Sequence, residues 1–150
     1  MTVRTRIEVM HGVNLDQIGR RDAAHYGGLT FDRLEQEIDR YASELGLQAR
    51  FFQTNSEAEF VEHLHRLEDL ADGIVINPGA WTHYSWAIHD ALEIAALPAV
   101  EVHLSDIEHR EEWRRVSVIR DLCIGTVQGK GIEGYRDALE LLRDVLRAEA

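Results

Sequence analysis

The stretch GIVINPGAWTHYSWA, residues 73–87, contains a strand-like run, a turn and the start of a helix in direct succession. Its first four residues are apolar or small, which is typical of a short buried strand. The polar segment that follows carries Pro78 and Gly79, which favour a tight turn. An apolar, helix-like run then begins at Trp86. A strand followed by a turn and a helix is the repeating unit of a parallel sheet.

The same succession recurs along the chain. Apolar runs predict five strands, at residues 3–10, 47–52, 73–76, 99–103 and 122–127. Helices are predicted between the cap Thr30 and Gly46, between the capping box that begins at Ser56 and Gly73, at residues 86–96, in part of 108–115, and at 135–147. The first two show apolar residues at helical spacing, namely Leu34, Ile38, Tyr41 and Leu45, then Phe60, Leu64, Leu67 and Leu70.

This alternation predicts an α/β fold in which five strands form one parallel sheet with helices on both faces. The simplest such arrangement is the three-layer, flavodoxin-like order 2-1-3-4-5. In that order, ligands bind beyond the carboxyl ends of the strands, near the switch between strands one and three. At 150 residues, with 45% hydrophobic and 29% charged residues, the chain is expected to form a single domain over residues 1–150.

Composition limits the partners that the protein can have. With 16 basic and 27 acidic residues, and a formal net charge of −11, a nucleic-acid partner is not expected. No apolar run reaches about 18 residues, and no apolar secretory segment follows Met1, so we expect no membrane partner and a cytoplasmic location. The single Cys123 cannot form an internal disulfide and is predicted to be a buried strand thiol.

Polar side chains collect where strands one, three and four end. The segments are HGVNLDQIGRRDAAHYGG, residues 11–28, NPGAWTHYS, residues 77–85, and EVHLSDIEHREEWRR, residues 101–115. Together they bring hydrogen-bond donors for hydroxyl and carboxylate groups, and a histidine able to move a proton near neutral pH, to one predicted crevice. The residues expected there are Asn14, Asn77, His83, His103, Ser105 and several arginines, whereas Asn55 and Ser56 after strand two are interpreted as capping residues.

Two other patterns predict no site. GKGIEG, residues 129–134, matches a dinucleotide fingerprint, but the chain ends without a second strand or an acidic ribose-binding residue. We interpret it as a turn with close helix packing. His63 and His65 lie two apart on a helix and point to different sides, so they do not predict a metal site. No metal is expected.

The strand ends taken together resemble type II 3-dehydroquinate dehydratase. NPGAWTH is similar to that family's Asn-Pro-Gly-Ala-aromatic-Thr-His segment, and EVHLSDIEHREEWRR is similar to its Glu-Val-His-(Leu/Ile)-Ser…Arg-Glu-Glu-aromatic-Arg segment. The resemblance extends from the first strand to GIEGYRDAL, residues 131–139. It implies a lyase that converts 3-dehydroquinate to 3-dehydroshikimate and water through an enolate, without a cofactor or metal.

The resemblance also implies roles for individual residues. Tyr26 matches the base, and because an unperturbed tyrosine has a pKa of about 10, a base needs a nearby cation, which Arg21 matches. Asn14 matches the residue that positions a water at the ketone oxygen. His103 matches the proton donor, with Glu101 on the same strand face to orient or charge it. The expected substrate contacts are Asn77, His83, the Leu104 backbone, Ser105, Arg114 and, from a neighbouring subunit of a trimer, Asp90; such trimers assemble into a dodecamer.

Some positions depart from the family pattern. His11 and Val13 replace an asparagine and a proline after strand one, Val116 replaces a histidine, and Tyr84 and Trp86 replace smaller residues near His83. The lid also has Arg-Asp-Ala in place of the family's Arg-Glu-Pro. Two alternatives therefore stay open. One is a related dehydratase of another cyclic hydroxy-keto acid, and the other is a catalytically idle homologue that binds a carboxylate or serves in assembly.

Overall fold

The computed structural model describes residues 3–149 and contains one sheet of five parallel strands. The strands are β1 (Arg6–His11), β2 (Gln48–Gln53), β3 (Gly73–Asn77), β4 (Ala99–His103) and β5 (Gly125–Gln128). Their order across the sheet is β2-β1-β3-β4-β5, and every neighbouring pair is parallel. This confirms the predicted flavodoxin-like α/β fold and places the switch point between β1 and β3.

Five helices complete the three layers. They are α1 (Ala23–Tyr26), α2 (Phe31–Glu44), α3 (Glu57–Arg66), α4 (Trp86–Ala95) and α5 (Glu133–Ala148). Alternate residues of the central strands point to opposite faces of the sheet. Ile7 and Val9 of β1 pack with α2 and α5 in one apolar core, whereas Met10 packs with α3 and α4 in the other.

Three helices begin where the sequence indicated. The hydroxyl oxygens of Thr30, Ser56 and Ser85 accept hydrogen bonds from backbone N–H groups three residues further on, at 3.2, 3.2 and 3.1 Å. Each bond satisfies one of the N–H groups that a helix leaves free in its first turn. The caps fix the entry angle of α2, α3 and α4, and hence the course of the loops that precede them.

The structure corrects several predicted boundaries. The first strand begins at Arg6, and the last begins at Gly125 because Arg120–Leu122 forms a 3₁₀ turn instead. Cys123 therefore lies just before the strand, half-buried, where burial raises the pKa of its thiol to about 12. The predicted helix within 108–115 is replaced by two 3₁₀ turns, Ile107–His109 and Glu112–Arg115.

The prediction that Leu70 belongs to the apolar stripe of the second helix is also wrong. α3 ends at Arg66, and the chain tightens into a 3₁₀ turn at Leu67–Asp69. A 3₁₀ turn has three residues per turn, so the side chains beyond it no longer follow the helical stripe. Leu70 is accordingly exposed, while Leu67 remains buried.

The chain after β1 crosses directly over the turn after β3. The Gly12 N–H donates to the Asn77 carbonyl oxygen at 2.8 Å. A Cβ atom on Gly12 would lie 2.1 Å from the Pro78 carbonyl oxygen, so only glycine allows this approach. The two loops that carry Asn14 and Asn77 are thereby held side by side.

Within residues 3–149, no helix has both the length and the apolar composition that a membrane span requires.

We expect Gly12→Ala to destabilise the protein by about 2 kcal/mol or more, because the added methyl group must displace backbone atoms. Gly19→Ala is the matched control, since its nearest non-neighbouring atoms would lie 3.7 Å away, an ordinary contact. Urea unfolding of both variants measures the difference. Equal stability of the two alanine variants would show that the crossing is not tight.

Candidate active site

A narrow cavity opens at the carboxyl ends of β1, β3 and β4, where the fold places its switch point. Its volume is about 40 Å³, which is room for only a water or two. Its wall combines amide, imidazole, phenol and guanidinium groups with a few apolar side chains. The lining residues are Asn14, Leu15, Ile18, Arg21, Tyr26, Asn77, Gly79, Ala80, His83, His103, Leu104, Ser105, Ile107, Arg110 and Arg114.

Tyr26 is held between two arginines. Arg110 donates from Nη1 to the Tyr26 hydroxyl oxygen at 2.9 Å, and the same nitrogen is 3.3 Å from the Ser105 hydroxyl. The guanidinium carbon of Arg21 lies 4.7 Å from the centre of the Tyr26 ring. Two guanidinium groups therefore flank the phenol, one hydrogen-bonded to its oxygen and one against its ring.

The segment that carries Tyr26 is a short loop with a single helical turn. Asp22 caps α1 by accepting from the Ala24 N–H at 2.9 Å, and Gly27 and Gly28 leave the turn with positive φ angles of 65° and 68°. A Cβ on either glycine would meet nothing within 4 Å. The loop after Tyr26 is therefore loosely packed.

A second cavity, of about 470 Å³, lies against the first. Tyr26, Leu104 and Ser105 line both spaces, and Gly129 and Ile132 line only the larger one. A displacement of the loop that carries Tyr26 would join the two cavities into one space.

His103 and Glu101 form a buried pair at the end of β4. His103 Nε2 lies 2.5 Å from Glu101 Oε2, and the Ser117 hydroxyl donates to Glu101 Oε1 at 2.8 Å. Burial opposes ionisation of Glu101, but the bonds from His103 and Ser117 and the nearby positive charges outweigh it, so its pKa lies below the usual value. An ionised Glu101 requires a proton on His103 Nε2, which leaves Nδ1 as the ring nitrogen available to a ligand.

His83 is oriented by the backbone. Its Nδ1 lies 2.6 Å from the Val116 carbonyl oxygen, and since a carbonyl only accepts, Nδ1 carries a proton. Burial lowers the pKa of His83, and the positive charges of His103 and Arg114 lower it further, against the effect of the Val116 bond. A neutral His83 presents Nε2 as an acceptor. The centre of the His83 ring lies 6.4 Å from the centre of the His103 ring.

Two asparagines also line the cavity. Asn14 adopts the left-handed conformation, with φ 68° and ψ 1°, and its side chain does not cap the turn that follows. Asn77 is buried, and its Oδ1 accepts from the Gly79 N–H at 3.1 Å. The Asn77 amide nitrogen then remains as a donor, and the Asn14 amide offers both a donor and an acceptor.

The loop after β4 completes the wall. The carbonyl oxygens of Leu104 and Ser105 accept from the N–H groups of Gly131 and Gly129, each at 3.1 Å. Gly129 and Gly131 have positive φ angles, so the glycine-rich segment is a turn that fixes the end of β4. Gly134 gives close helix packing, because its Cβ would lie 3.1 Å from the side chain of Val127.

Arg114 also lines the cavity. Its Nε donates to Glu111 at 2.5 Å, and its guanidinium carbon lies 4.2 Å from the Trp113 ring centre. These contacts orient a long side chain that would otherwise be free to move. Arg114 therefore offers a fixed positive charge to an anion in the cavity.

All predicted site residues line the cavity except Glu101 and Asp90. Glu101 lies behind His103, which agrees with a supporting role. Asp90 lies on α4, and its exposed side chain binds the neighbouring His89 at 3.0 Å. Within one chain, Asp90 therefore belongs to another surface.

Most departures from the family pattern lie outside the cavity wall. His11 is fully buried between Phe31 and Phe51 on the α2 side of the sheet. The side chains of Tyr84 and Trp86 are exposed. Val116 contributes its carbonyl oxygen, which any residue would supply, and its side chain is exposed as well.

Sequence reasoning missed two contributors to the site. Arg110 was covered only by the expectation of several arginines, without a role, and it lies 84 residues from the Tyr26 hydroxyl that it binds. Ser117 had no assigned role, although it holds Glu101. Strand patterns cannot reveal such pairs, because Arg110 and Ser117 lie in irregular segments that only the tertiary fold brings to their partners.

Within residues 3–149, no group of three or more histidine, cysteine or acidic side chains is arranged to hold a metal ion.

The fold and cavity define a flavodoxin-like protein whose site pairs a tyrosine with arginines and a histidine with a buried carboxylate. A sequence profile described as Dehydroquinase class II matches residues 5–143. A Thermotoga neapolitana protein named 3-dehydroquinate dehydratase is 49% identical over 140 residues, which cover 93% of this chain and 95% of that one. The chain belongs to the class II dehydroquinase family, which is a family of enzymes.

Solved structures agree with this assignment. The crystal structure of type II dehydroquinase from Propionibacterium acnes matches with a TM-score of 0.89 and 40% identity, covering 96% of this chain and 99% of that one. The corresponding structure from Butyrivibrio crossotus also has a TM-score of 0.89, at 36% identity, covering 94% and 99% of the two chains.

The lowered pKa of Glu101 makes stability depend on pH. Such a carboxylate stabilises the fold above its ordinary pKa of 4.5, and this contribution is lost as the pH falls through the folded-state pKa. We expect Glu101→Gln to lower the free energy of unfolding by about 1–3 kcal/mol near neutral pH. The difference from the wild type should shrink below pH 4.5.

Urea unfolding over a range of pH tests this expectation, with Glu68→Gln, an exposed glutamate, as the control. The control should follow the wild type at every pH. A Glu101→Gln difference that stays constant across the range would contradict the ionised pair.

Proposed function

We propose that this protein dehydrates 3-dehydroquinate to 3-dehydroshikimate, with Tyr26 as base and His103 as acid. The observation that carries the proposal is the hydrogen bond from Arg110 to the Tyr26 hydroxyl, in the same cavity as the His103–Glu101 pair. A base and an acid with separate partners in one cavity suit a reaction that removes one proton and delivers another. The name of the Thermotoga neapolitana relative supports the choice of substrate.

In the first step, the Tyr26 phenolate takes a proton from the carbon next to the ketone. Arg110, at hydrogen-bond distance from the phenol oxygen, and Arg21, near the ring, stabilise the charge that the base carries before the transfer. Arg21 is the cation that the sequence indicated, and Arg110 adds the direct bond to the oxygen.

Removal of the proton places negative charge on the ketone oxygen. Fixed hydrogen-bond donors at that oxygen lower the barrier, because they need no rearrangement during the reaction. Asn14 can position a water there, since its side chain lines the cavity and does not cap the following turn.

In the last step, the enolate collapses and the tertiary hydroxyl leaves as water. His103 supplies the proton to the leaving oxygen, and the ionised Glu101 stabilises the imidazolium that acts as donor. Ser117 keeps Glu101 in place through its second oxygen. The pair thus resembles the histidine–carboxylate arrangements that set ring orientation in other acid–base sites.

The remaining polar groups bind the substrate. Asn77 and neutral His83 offer a donor and an acceptor to ring hydroxyls, and Arg114 offers its charge to the carboxylate. Ser105 and the backbone of Leu104 contribute from the end of β4. Since the cavity holds only about 40 Å³, entry of a six-membered ring requires displacement of the loop that carries Tyr26, which then acts as a lid.

Asp90 completes the site of a neighbouring subunit in this proposal. Its side chain is largely exposed on α4, close in sequence to the exposed apolar side chains of Trp86 and Ile94. Residues 86, 90 and 94 are four apart, so they share one face of α4, and a contiguous apolar patch can mark a surface that another chain covers. A trimer, and a dodecamer built from four trimers, would cover them and carry Asp90 to the next cavity.

Tyr26→Phe removes the base but keeps the ring, so we expect kcat for 3-dehydroquinate to fall by a factor of about 10²–10⁴. The kcat of Arg21→Ala should fall by a similar factor, because the negatively charged base loses a nearby cation. Growth of the enone absorbance measures both. Tyr41→Phe, in α2 and remote from the cavity, is the matched control and should keep the wild-type rate. Wild-type-like rates in Tyr26→Phe or Arg21→Ala would contradict the assigned roles.

Complementation between subunits tests the placement of Asp90. Tyr26→Phe and Asp90→Ala should each be nearly inactive as pure oligomers. After the two are dissociated, mixed and reassembled, cavities with an intact Tyr26 from one subunit and an intact Asp90 from its neighbour should recover activity. Mixed oligomers as inactive as the pure variants would show that Asp90 does not act across a subunit boundary.

A further inference from the structure

We propose that Asn55, in the loop between β2 and α3, is a positioning residue that sets the orientation of Asn14 in the active site. This inference rests on the proposed function of Asn14. It gives the loop that follows the edge strand β2 a part in catalysis, although neither the strand nor this loop contributes a residue to the cavity wall.

The contact is a hydrogen bond to the backbone of Asn14. The Asn14 N–H donates to Asn55 Oδ1 at 2.8 Å, across 41 residues of sequence. Gln53 supports the acceptor, because its Nε2 lies 3.3 Å from Asn55 Oδ1 and 3.2 Å from the Gly12 carbonyl oxygen. Asn55 Nδ2 also approaches the Asp16 carboxylate, with both oxygens at 3.4 Å. Gln53, at the end of β2, and Asn55, in the loop that follows, thus hold residues 12–16.

Asn55 is not required as a cap at the start of α3. Ser56 caps α3 by accepting from the Glu59 N–H, and the Thr54 hydroxyl accepts from the Ser56 N–H at 3.0 Å and donates to Glu59 at 2.6 Å. The start of the helix is therefore satisfied by the residues on either side of Asn55. Its amide is free to bind the loop after β1, and this corrects the sequence-based interpretation of Asn55 as a cap.

The hydrogen bond to Asn55 fixes Asn14 in an unfavourable backbone conformation. Asn14 is one of two non-glycine residues with positive φ among residues 3–149, and the other, Ala96, ends α4. The left-handed region is accessible to asparagine but costs free energy, so the surroundings must hold it. On one side, Gly12 is fixed against Asn77 and Pro78; on the other side, Asn55 holds the Asn14 N–H.

Since φ and ψ of Asn14 decide where its amide points, release of the N–H should move the amide relative to the ketone oxygen. A displacement of about 1 Å in a catalytic group can cost a factor of about 10² in rate. We therefore expect Asn55→Ala to lower kcat by a factor of about 10–100, with little change in KM, because Asn77, His83 and Arg114 are untouched.

A double-mutant cycle tests whether Asn55 acts through Asn14. Asn14→Gly removes the amide but adopts the left-handed conformation freely. In that background, Asn55→Ala should cause no further loss of kcat. A full additional loss, multiplied on top of the Asn14→Gly effect, would overturn the proposal, as would a wild-type kcat in Asn55→Ala alone. Ser56→Ala is the matched control: it removes the neighbouring cap, so it should lower Tm but leave kcat unchanged.

A crystal structure of Asn55→Ala gives a readout that does not depend on the reaction. We expect φ of Asn14 to leave the positive region, or residues 12–16 to shift, while α3 stays in place. An unchanged loop would overturn the positioning role even if the protein dehydrates 3-dehydroquinate. A wild type without that activity, but with a displaced loop in Asn55→Ala, would contradict the proposed function and leave the backbone contact established.

Discussion

The hydrogen bond from the Gly12 N–H to the Asn77 carbonyl oxygen determines how the two central strands end. β1 and β3 are neighbours in the sheet, but the chain leaves them in different directions, towards α2 on one face and α4 on the other. The bond, and the absence of a side chain on Gly12, let the two loops touch before they separate. Asn14 and Asn77 therefore face one cavity, and β4 adds His103 from the next position in the sheet.

Charge is distributed unevenly between the site and the rest of the molecule. The chain carries a formal net charge of −11, yet Arg21, Arg110 and Arg114 all line the cavity. Local positive charge in a concave, partly buried site attracts an anion even when the whole molecule is acidic, because nearby charges dominate and distant ones are screened by salt. The buried carboxylate of Glu101, next to His103, is already bound to His103 and Ser117. It therefore does not repel an anionic ligand as a free carboxylate would.

Much of this architecture could be predicted from the sequence because it depends on local patterns. Apolar runs and helix caps define the succession of strands and helices, for which the observed sheet order is the simplest arrangement. The alternation of side chains along β4 puts Glu101 and His103 on one face. The residues that the sequence did not identify act through tertiary contacts. Arg110 binds a phenol 84 residues away, and Asn55 binds a backbone N–H 41 residues away. The start of β5 was misplaced because Leu122 and Ile124 look like strand residues. Leu122 instead ends a 3₁₀ turn, and Ile124 lies between that turn and β5.

The central claim is that the cavity dehydrates 3-dehydroquinate with its own side chains. The most direct test is an assay of the purified wild-type protein, dialysed against a chelator, with 3-dehydroquinate as substrate and the absorbance of the conjugated enone as signal. If the side chains of the cavity are sufficient, the enone should form steadily and at the same rate before and after dialysis. No enone from 3-dehydroquinate would contradict it, and would favour a different cyclic hydroxy-keto acid or a binding role.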